Sequence, residues 1–351
     1  MRIVVTGATG NVGTSVVESL GRDPAVSAIV GVARRAPAIP LAKTSWTHAD
    51  IVRADLTELF RGADAVIHLA WLIQPSHDEK TLDAANVEGS SRVFRAVIAA
   101  EVPTLVYASS VGAYSPGPKD RRVDERWPTG GIQSSYYSRQ KAEVERRLDR
   151  IEREAPRLRA VRLRPGLIFK RDAAAGIRRL FAGPFLPNPL VRPGLLPLVP
   201  AIERLVFQAV HSHCVAEAYR LAVTRTETSG AYNIAAEPVL DPDRLGRILD
   251  AKPVSTHPGA LRAAVKVGWL LRAQPTHPSW LDLALGVPLM DTTRARRELG
   301  FTPARGADEA LAELIEGLRE GAGFETPPLS PDTGGPLRIR ELLTGVGGRA
   351  D

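Results

Sequence analysis

Cysteine, lysine and aromatic residues are the scarce elements of this chain of 351 residues. Its one cysteine, Cys214, has no internal partner, so no disulfide can hold the fold and a reducing compartment is expected. Long apolar runs are missing too. The most apolar stretch, residues 185–207, is interrupted by Arg192, Glu203 and five prolines, which excludes a membrane-spanning helix of about eighteen residues there. No basic segment followed by an apolar one opens the chain, so no secretion signal is expected and the location is read as cytoplasmic. Basic residues number 46 against 39 acidic, a net charge of +7. They are interspersed with acids, as in residues 139–154, and this reads as a solvated helix face. A basic run with interleaved aromatics is lacking, which argues against nucleic acid as a partner.

What is present is the composition of a globular α/β protein, with 44% hydrophobic and 24% charged residues. Apolar, β-branched segments alternate with helical periods from the start. Strands are predicted at residues 2–8, 28–34, near 46–51, at 63–70, 104–110 and 158–165, with helices over 79–100 and about 134–154. Such alternation predicts right-handed crossovers and a Rossmann-type, doubly wound parallel sheet. After Pro165 proline becomes dense and the pattern irregular. Residues 208–225 with 230–235 read as a return to the sheet. The expected division is therefore 1–168 with about 205–238 as a dinucleotide-binding domain. About 169–204 with 239–322 forms a smaller, mostly helical substrate lobe, and 323–351, rich in Pro and Gly, a flexible tail.

Three glycines, Gly7, Gly10 and Gly13, stand between the first strand and the first helix. One is suited to a turn without a Cβ, the second to close approach of a ligand, and the third to close packing of helix on strand. The free N–H groups of the helix then face the gap, a setting that favours a phosphate. A plain glycine turn is the bland alternative. The position, directly after a strand and before a helix, favours a dinucleotide.

Tyr137 and Lys141 are four residues apart and so share a helix face. An ammonium beside a phenol should lower the phenol's pKa from about 10 towards neutrality and make Tyr137 an acid/base for an alcohol or ketone. Tyr136 faces elsewhere. Upstream, Ser109 and Ser110 end a buried strand, where open α/β sheets bind ligands.

The glycine loop, the serines after the later strand and the Y-x-x-x-K pair together resemble the short-chain dehydrogenase/reductase superfamily. T-G-x-x-G-x-x-G and the chain length resemble its extended branch, the NAD-dependent epimerase/dehydratase family. Further matches are His68 in "AVIHLAW", Asn86 in "NVEGSSRV", "LRPG" at 163–166 and "YNIA" at 232–235. The resemblance implies Ser110, Tyr137 and Lys141 as catalytic, with Ser109 as the fallback serine. It implies a cofactor held by Gly7, Thr9, Gly10, Asn11, Val12 and Gly13, by Asp55 and Leu56 at the adenine, by Leu69 and Ala70 at its middle, and by Asn86, Tyr137 and Lys141. Asp55 can equally be a helix cap, and His68 a core histidine. The resemblance also allows a homodimer built through helices.

An acid about twenty residues past the glycines would hold the ribose hydroxyls of NAD. That stretch instead carries Arg34 and Arg35, which suit a 2′-phosphate, so NADP is expected ahead of NAD. His211, His213 and Cys214 resemble a metal triplet, but strand alternation would turn the cysteine away from the histidines, and no metal is expected. The strand into the lobe lacks the asparagine common in nucleotide-sugar enzymes. These features predict an NAD(P)-dependent oxidoreductase acting on a carbonyl or hydroxyl carbon of a small-molecule substrate. The alternatives are a nucleotide-sugar epimerase or dehydratase that reoxidises its cofactor within each turnover, and a non-catalytic dinucleotide sensor.

Overall fold

A computed structural model describes residues 1–73, 78–181, 198–271 and 273–331. Seven strands form one parallel sheet: β1 (Arg2–Thr6), β2 (Ala28–Ala33), β3 (Thr44–His48), β4 (Ala65–His68), β5 (Thr104–Ala108), β6 (Arg159–Pro165) and β7 (Gly230–Ile234). Their order is β7-β6-β5-β4-β1-β2-β3. The order reverses beside β1, and it is at such a switch point that open α/β sheets bind ligands.

Side-chain alternation explains why both faces are covered. On β1, Ile3 and Val5 join one apolar core while Val4 joins the other. The first core packs helix α1 (Asn11–Arg22), through Val16, Val17 and Leu20, against the helix Ser212–Thr224, through Val215, Tyr219 and Ala222. The second takes Phe94 and Val97 of α2 (Gly89–Ala99) and Val144 and Leu148 of α3 (Tyr136–Glu154). A π-type turn at Ala84–Glu88 precedes α2 and carries Asn86.

Past β6 the chain departs from expectation in three places. Ala209–His211 pairs with Leu167–Phe169 in a separate two-stranded sheet, so only Gly230–Ile234 rejoins the main one. The last helix, Ala307–Glu320, falls within the segment expected to form the lobe. Its Ala307, Leu311, Leu314 and Ile315 instead complete the first core of the sheet domain. Helical period alone does not say which partner a helix buries against.

The third departure is in the expected tail, where residues 323–331 are packed. Leu329 and Thr326 are buried, Thr326 Oγ1 donates to Thr9 O at 2.8 Å, and Ala175 N donates to Ala322 O at 3.1 Å. The rest of that segment, 332–351, lies outside the described residues, as do Leu195 and Leu196 of the apolar stretch. Among the described residues no helix is long and apolar enough to cross a membrane.

Candidate active site

Two of the three glycines in the loop are required by its own packing. Gly7 has φ +72, and a Cβ on it would lie 2.6 Å from Ala70 N. A Cβ on Gly13 would lie 2.3 Å from Gly7 O, inside the closest possible contact of helix and loop. Gly10 would meet only Gly7 O at an ordinary 3.5 Å. Its bare backbone is therefore not demanded by packing and leaves room for something outside the protein. Gly10 caps α1 with no side-chain hydrogen bond, and Asn11 Oδ1 is buried without a partner. A cradle that a Cβ would fill, open helix N–H groups and an orphaned acceptor fit a dinucleotide's pyrophosphate and its flanking hydroxyls.

Several residues named for the cofactor carry structural tasks in this state. Asp55 caps the helical turn Leu56–Phe60, accepting from Thr57 N and Glu58 N. Asn86 clamps the loop after β4: its Oδ1 accepts from Leu72 N at 2.7 Å, and its Nδ2 donates to Leu72 O and Gln140 Oε1. His68 is a core histidine, between Thr6 Oγ1 at 2.7 Å and Ser90 Oγ at 2.9 Å, and burial pulls its pKa down to about 3. Arg34 and Arg35 follow β2 on the exposed surface.

The structure separates the two serines. Ser109 Oγ donates to the buried Glu145 carboxylate. Glu145 is in turn gripped by Arg164 Nε at 2.8 Å and Nη2 at 2.5 Å. Burial opposes ionisation of Glu145, yet the Arg164 guanidinium holds its carboxyl below the usual range. Ser110 instead lies in hydrogen-bond reach of Tyr137, with its Oγ accepting from Gly112 N at 3.0 Å. A Cβ on Gly112 would stand 2.9 Å from the Tyr137 ring, so this glycine makes room for the tyrosine beside the serine.

One expectation is corrected here. Tyr137 is not acidified in this state: burial pushes its pKa up to about 12, against the opposing pull of Ser110. The Lys141 ammonium is not spent on the phenol. Its Nζ donates to Ala108 O at 2.7 Å and sits 3.4 Å over the Trp71 ring, 5.9 Å from the Tyr137 ring centre. Burial lowers the Lys141 pKa well below its ordinary value, with Glu145 opposing. Desolvation disfavours both charged forms, and it outweighs the attraction that the four-residue spacing suggests.

Sequence reasoning missed the aromatic surround. Trp280, on the helix Ser279–Gly286, lies 5.1 Å from Tyr137, and Trp71 lies 6.0 Å away. No local pattern marks Trp280, which comes 143 positions after Tyr137. Glu145 was detectable: it continues the Tyr137, Lys141 face by one further step of four.

The histidine pair also differs from expectation. The strand ends at His211, which caps the following helix by accepting from His213 N at 3.2 Å. The two rings stack at 5.3 Å through a helical turn and not through a strand pleat, while Cys214 enters the first core.

Sheet order and glycine cradle together define a Rossmann-type fold whose first crossover is shaped to take a dinucleotide. Residues 3–173, just under half of the chain, match the NAD dependent epimerase/dehydratase family. Over those residues the chain is similar to this family.

An uncharacterized protein of Mycobacterium tuberculosis is 28% identical over 338 residues, covering 92% of this chain and 31% of that protein. The chain thus spans about a third of the length of the curated relatives first matched. Sterol-4-alpha-carboxylate 3-dehydrogenase of Saccharomyces cerevisiae is 24% identical over 283 residues, covering 74% of this chain and 78% of the enzyme. The solved structure of MoeE5 in complex with UDP-glucose and NAD has a TM-score of 0.67 at 21% identity, covering 91% of this chain and 99% of MoeE5.

Proposed function

We propose that the protein is an NAD(P)-dependent oxidoreductase acting on a carbonyl or secondary hydroxyl carbon. The observation that carries this reading is the Tyr137 phenol in hydrogen-bond reach of Ser110, on the helix face that it shares with Lys141. A bound nicotinamide dinucleotide would supply or accept the hydride. In the reductive direction Ser110 Oγ–H donates to the substrate carbonyl oxygen and fixes its position. Tyr137 Oη–H gives that oxygen its proton. Lys141 compensates the phenolate this leaves, and its ammonium must move from Ala108 O towards the tyrosine to do so. Tyr137 held as a neutral phenol suits the acid role, because the proton to be delivered is already in place.

Arg34 and Arg35 at the end of β2, with no acid at the ribose position, support NADP over NAD as the preferred cofactor. The NAD seen with MoeE5 favours the opposite preference. Calorimetric titration with NADPH and NADH decides it: the expected Kd for NADPH is at least about tenfold lower, and equal or NADH-favouring values refute the preference.

Tyr137→Phe tests the chemistry. Turnover of any accepted carbonyl substrate should fall by about a hundredfold or more, with cofactor affinity within about threefold of the parent. Intact turnover in this variant would overturn the reading.

A further inference from the structure

Aromatic residues make up only 5% of the chain, yet they concentrate around Tyr137. Trp280 faces its ring at 5.1 Å with a tilt of 34°, and Phe181 meets Trp280 at 5.7 Å. Trp71 stands on another side of Tyr137, edge-on at 6.0 Å. Trp280 is backed by Tyr136, which meets it edge-on at 6.5 Å and meets His277 edge-on at 5.7 Å. The rings of Tyr137 and Phe181 thus both meet Trp280, and the three form an aromatic wall. Trp71 and Trp280 remain half-buried, and Phe181 is 44% exposed.

The charged side chains nearby point to the same chemistry. Arg179 donates to the carbonyls of Pro328 and Ser330, and Arg204 to those of Leu285 and Gly117. Lys119 donates to Val206 O and Ala284 O, and Arg262 is paired with Asp282 at 2.7 Å. These cations are already engaged by the protein's own oxygens, whereas a nucleoside diphosphate needs cations directed at a ligand. Phe181, one of the large apolar side chains left exposed among the described residues, extends this aromatic surface from Trp280 to solvent.

From this we infer that the substrate is an apolar, ring-bearing ketone or secondary alcohol, alicyclic or aromatic, stacked against Trp280 with its oxygen at Tyr137. The inference rests on the oxidoreductase reading above and deepens it. Flat aromatic walls reward ring area, and they do little for a hydrated diphosphate.

The full chain, alone and with NADPH or NADH, is titrated with cyclohexanone, decalone, a steroid ketone and UDP-glucose. Tryptophan fluorescence and melting temperature are the readouts. Affinity should rise with ring area, by about tenfold from cyclohexanone to decalone, and UDP-glucose should give neither quenching nor a thermal shift. Trp280→Ala should weaken decalone binding about tenfold, with Trp280→Phe staying within about threefold of the parent, because a ring face remains.

The inference is overturned if UDP-glucose binds more tightly than decalone. It is overturned equally if Trp280→Ala binds decalone as the parent does, or if Trp280→Phe loses as much as the alanine. Cofactor binding is read separately. If neither NADPH nor NADH binds while decalone still does, the oxidoreductase reading is refuted and the slot stands.

Discussion

On the sheet side of Tyr137 the side chains are buried and bonded to one another; on the side of the helix Ser279–Gly286 they are aromatic and partly exposed. The sheet side runs from Ser109 through Glu145 and Arg164 to Tyr114, whose hydroxyl donates to Asn233 Oδ1 at 2.6 Å. The other side presents Trp280 and the exposed Phe181. The difference separates two jobs. A catalytic group must be held to a fraction of an ångström, and a buried polar network does that. A substrate wall needs area and shape, which aromatic rings supply without fixed polar partners.

Removing a charge from the sheet-side network should have the largest effect on the fold. Glu145→Gln would leave the Arg164 guanidinium buried without its counter-ion, and the expected cost is about 3–5 kcal/mol. Urea unfolding of the parent and variant measures it. A loss below about 1 kcal/mol would mean that this side is no more rigidly specified than the lobe, and the contrast would fail.

His68 sharpens the same contrast through pH. Its imidazole is held neutral, with a folded-state pKa of about 3 against an ordinary 6.5. A lowered histidine pKa means that the unfolded chain takes up a proton which the folded chain refuses. The associated stability is therefore complete above about pH 6.5 and is lost as pH falls towards 3, at no more than about 1.4 kcal/mol per pH unit. His68→Asn should be less stable than the parent at neutral pH, with a flatter dependence between pH 6.5 and 4. Parallel curves for parent and variant would show that other groups carry the acid sensitivity.

How much of this was legible in the sequence follows from the range over which each feature acts. The parallel sheet was readable because Ile3-Val4-Val5 and its counterparts must be apolar on both faces, a local demand repeated strand by strand. Gly7 and Gly13 were readable because their neighbours in space lie on the adjoining loop and strand end. The Tyr137 and Lys141 pair was readable as spacing. Its electrostatics were not, since burial comes from Trp71, Ala108 and Trp280, far away in the chain. The aromatic wall had no local signature at all, because Trp280 reaches the site only through the packing of the lobe.

The end of the described chain gives the smallest effect and tests where the boundary between the two sides runs. Composition marked residues 323–331 as tail, because Pro and Gly weaken local structure whether or not a surface is available to dock on. Here the surface is the glycine loop itself: Thr326 Oγ1 bonds the carbonyl of Thr9, and Lys170, which donates to Thr14 Oγ1 at 2.7 Å, lies 5.5 Å from the Phe324 ring. Thr326→Val keeps the volume and removes the donor, leaving Thr9 O unpaired, so a loss of about 1 kcal/mol is expected. If the segment stiffens the cradle, NADH affinity should fall by a few-fold in parallel, because part of the loop's ordering would then be deferred to binding. An unchanged Kd with lowered stability would confine the segment to the fold and place the cradle wholly on the rigid, sheet-built side.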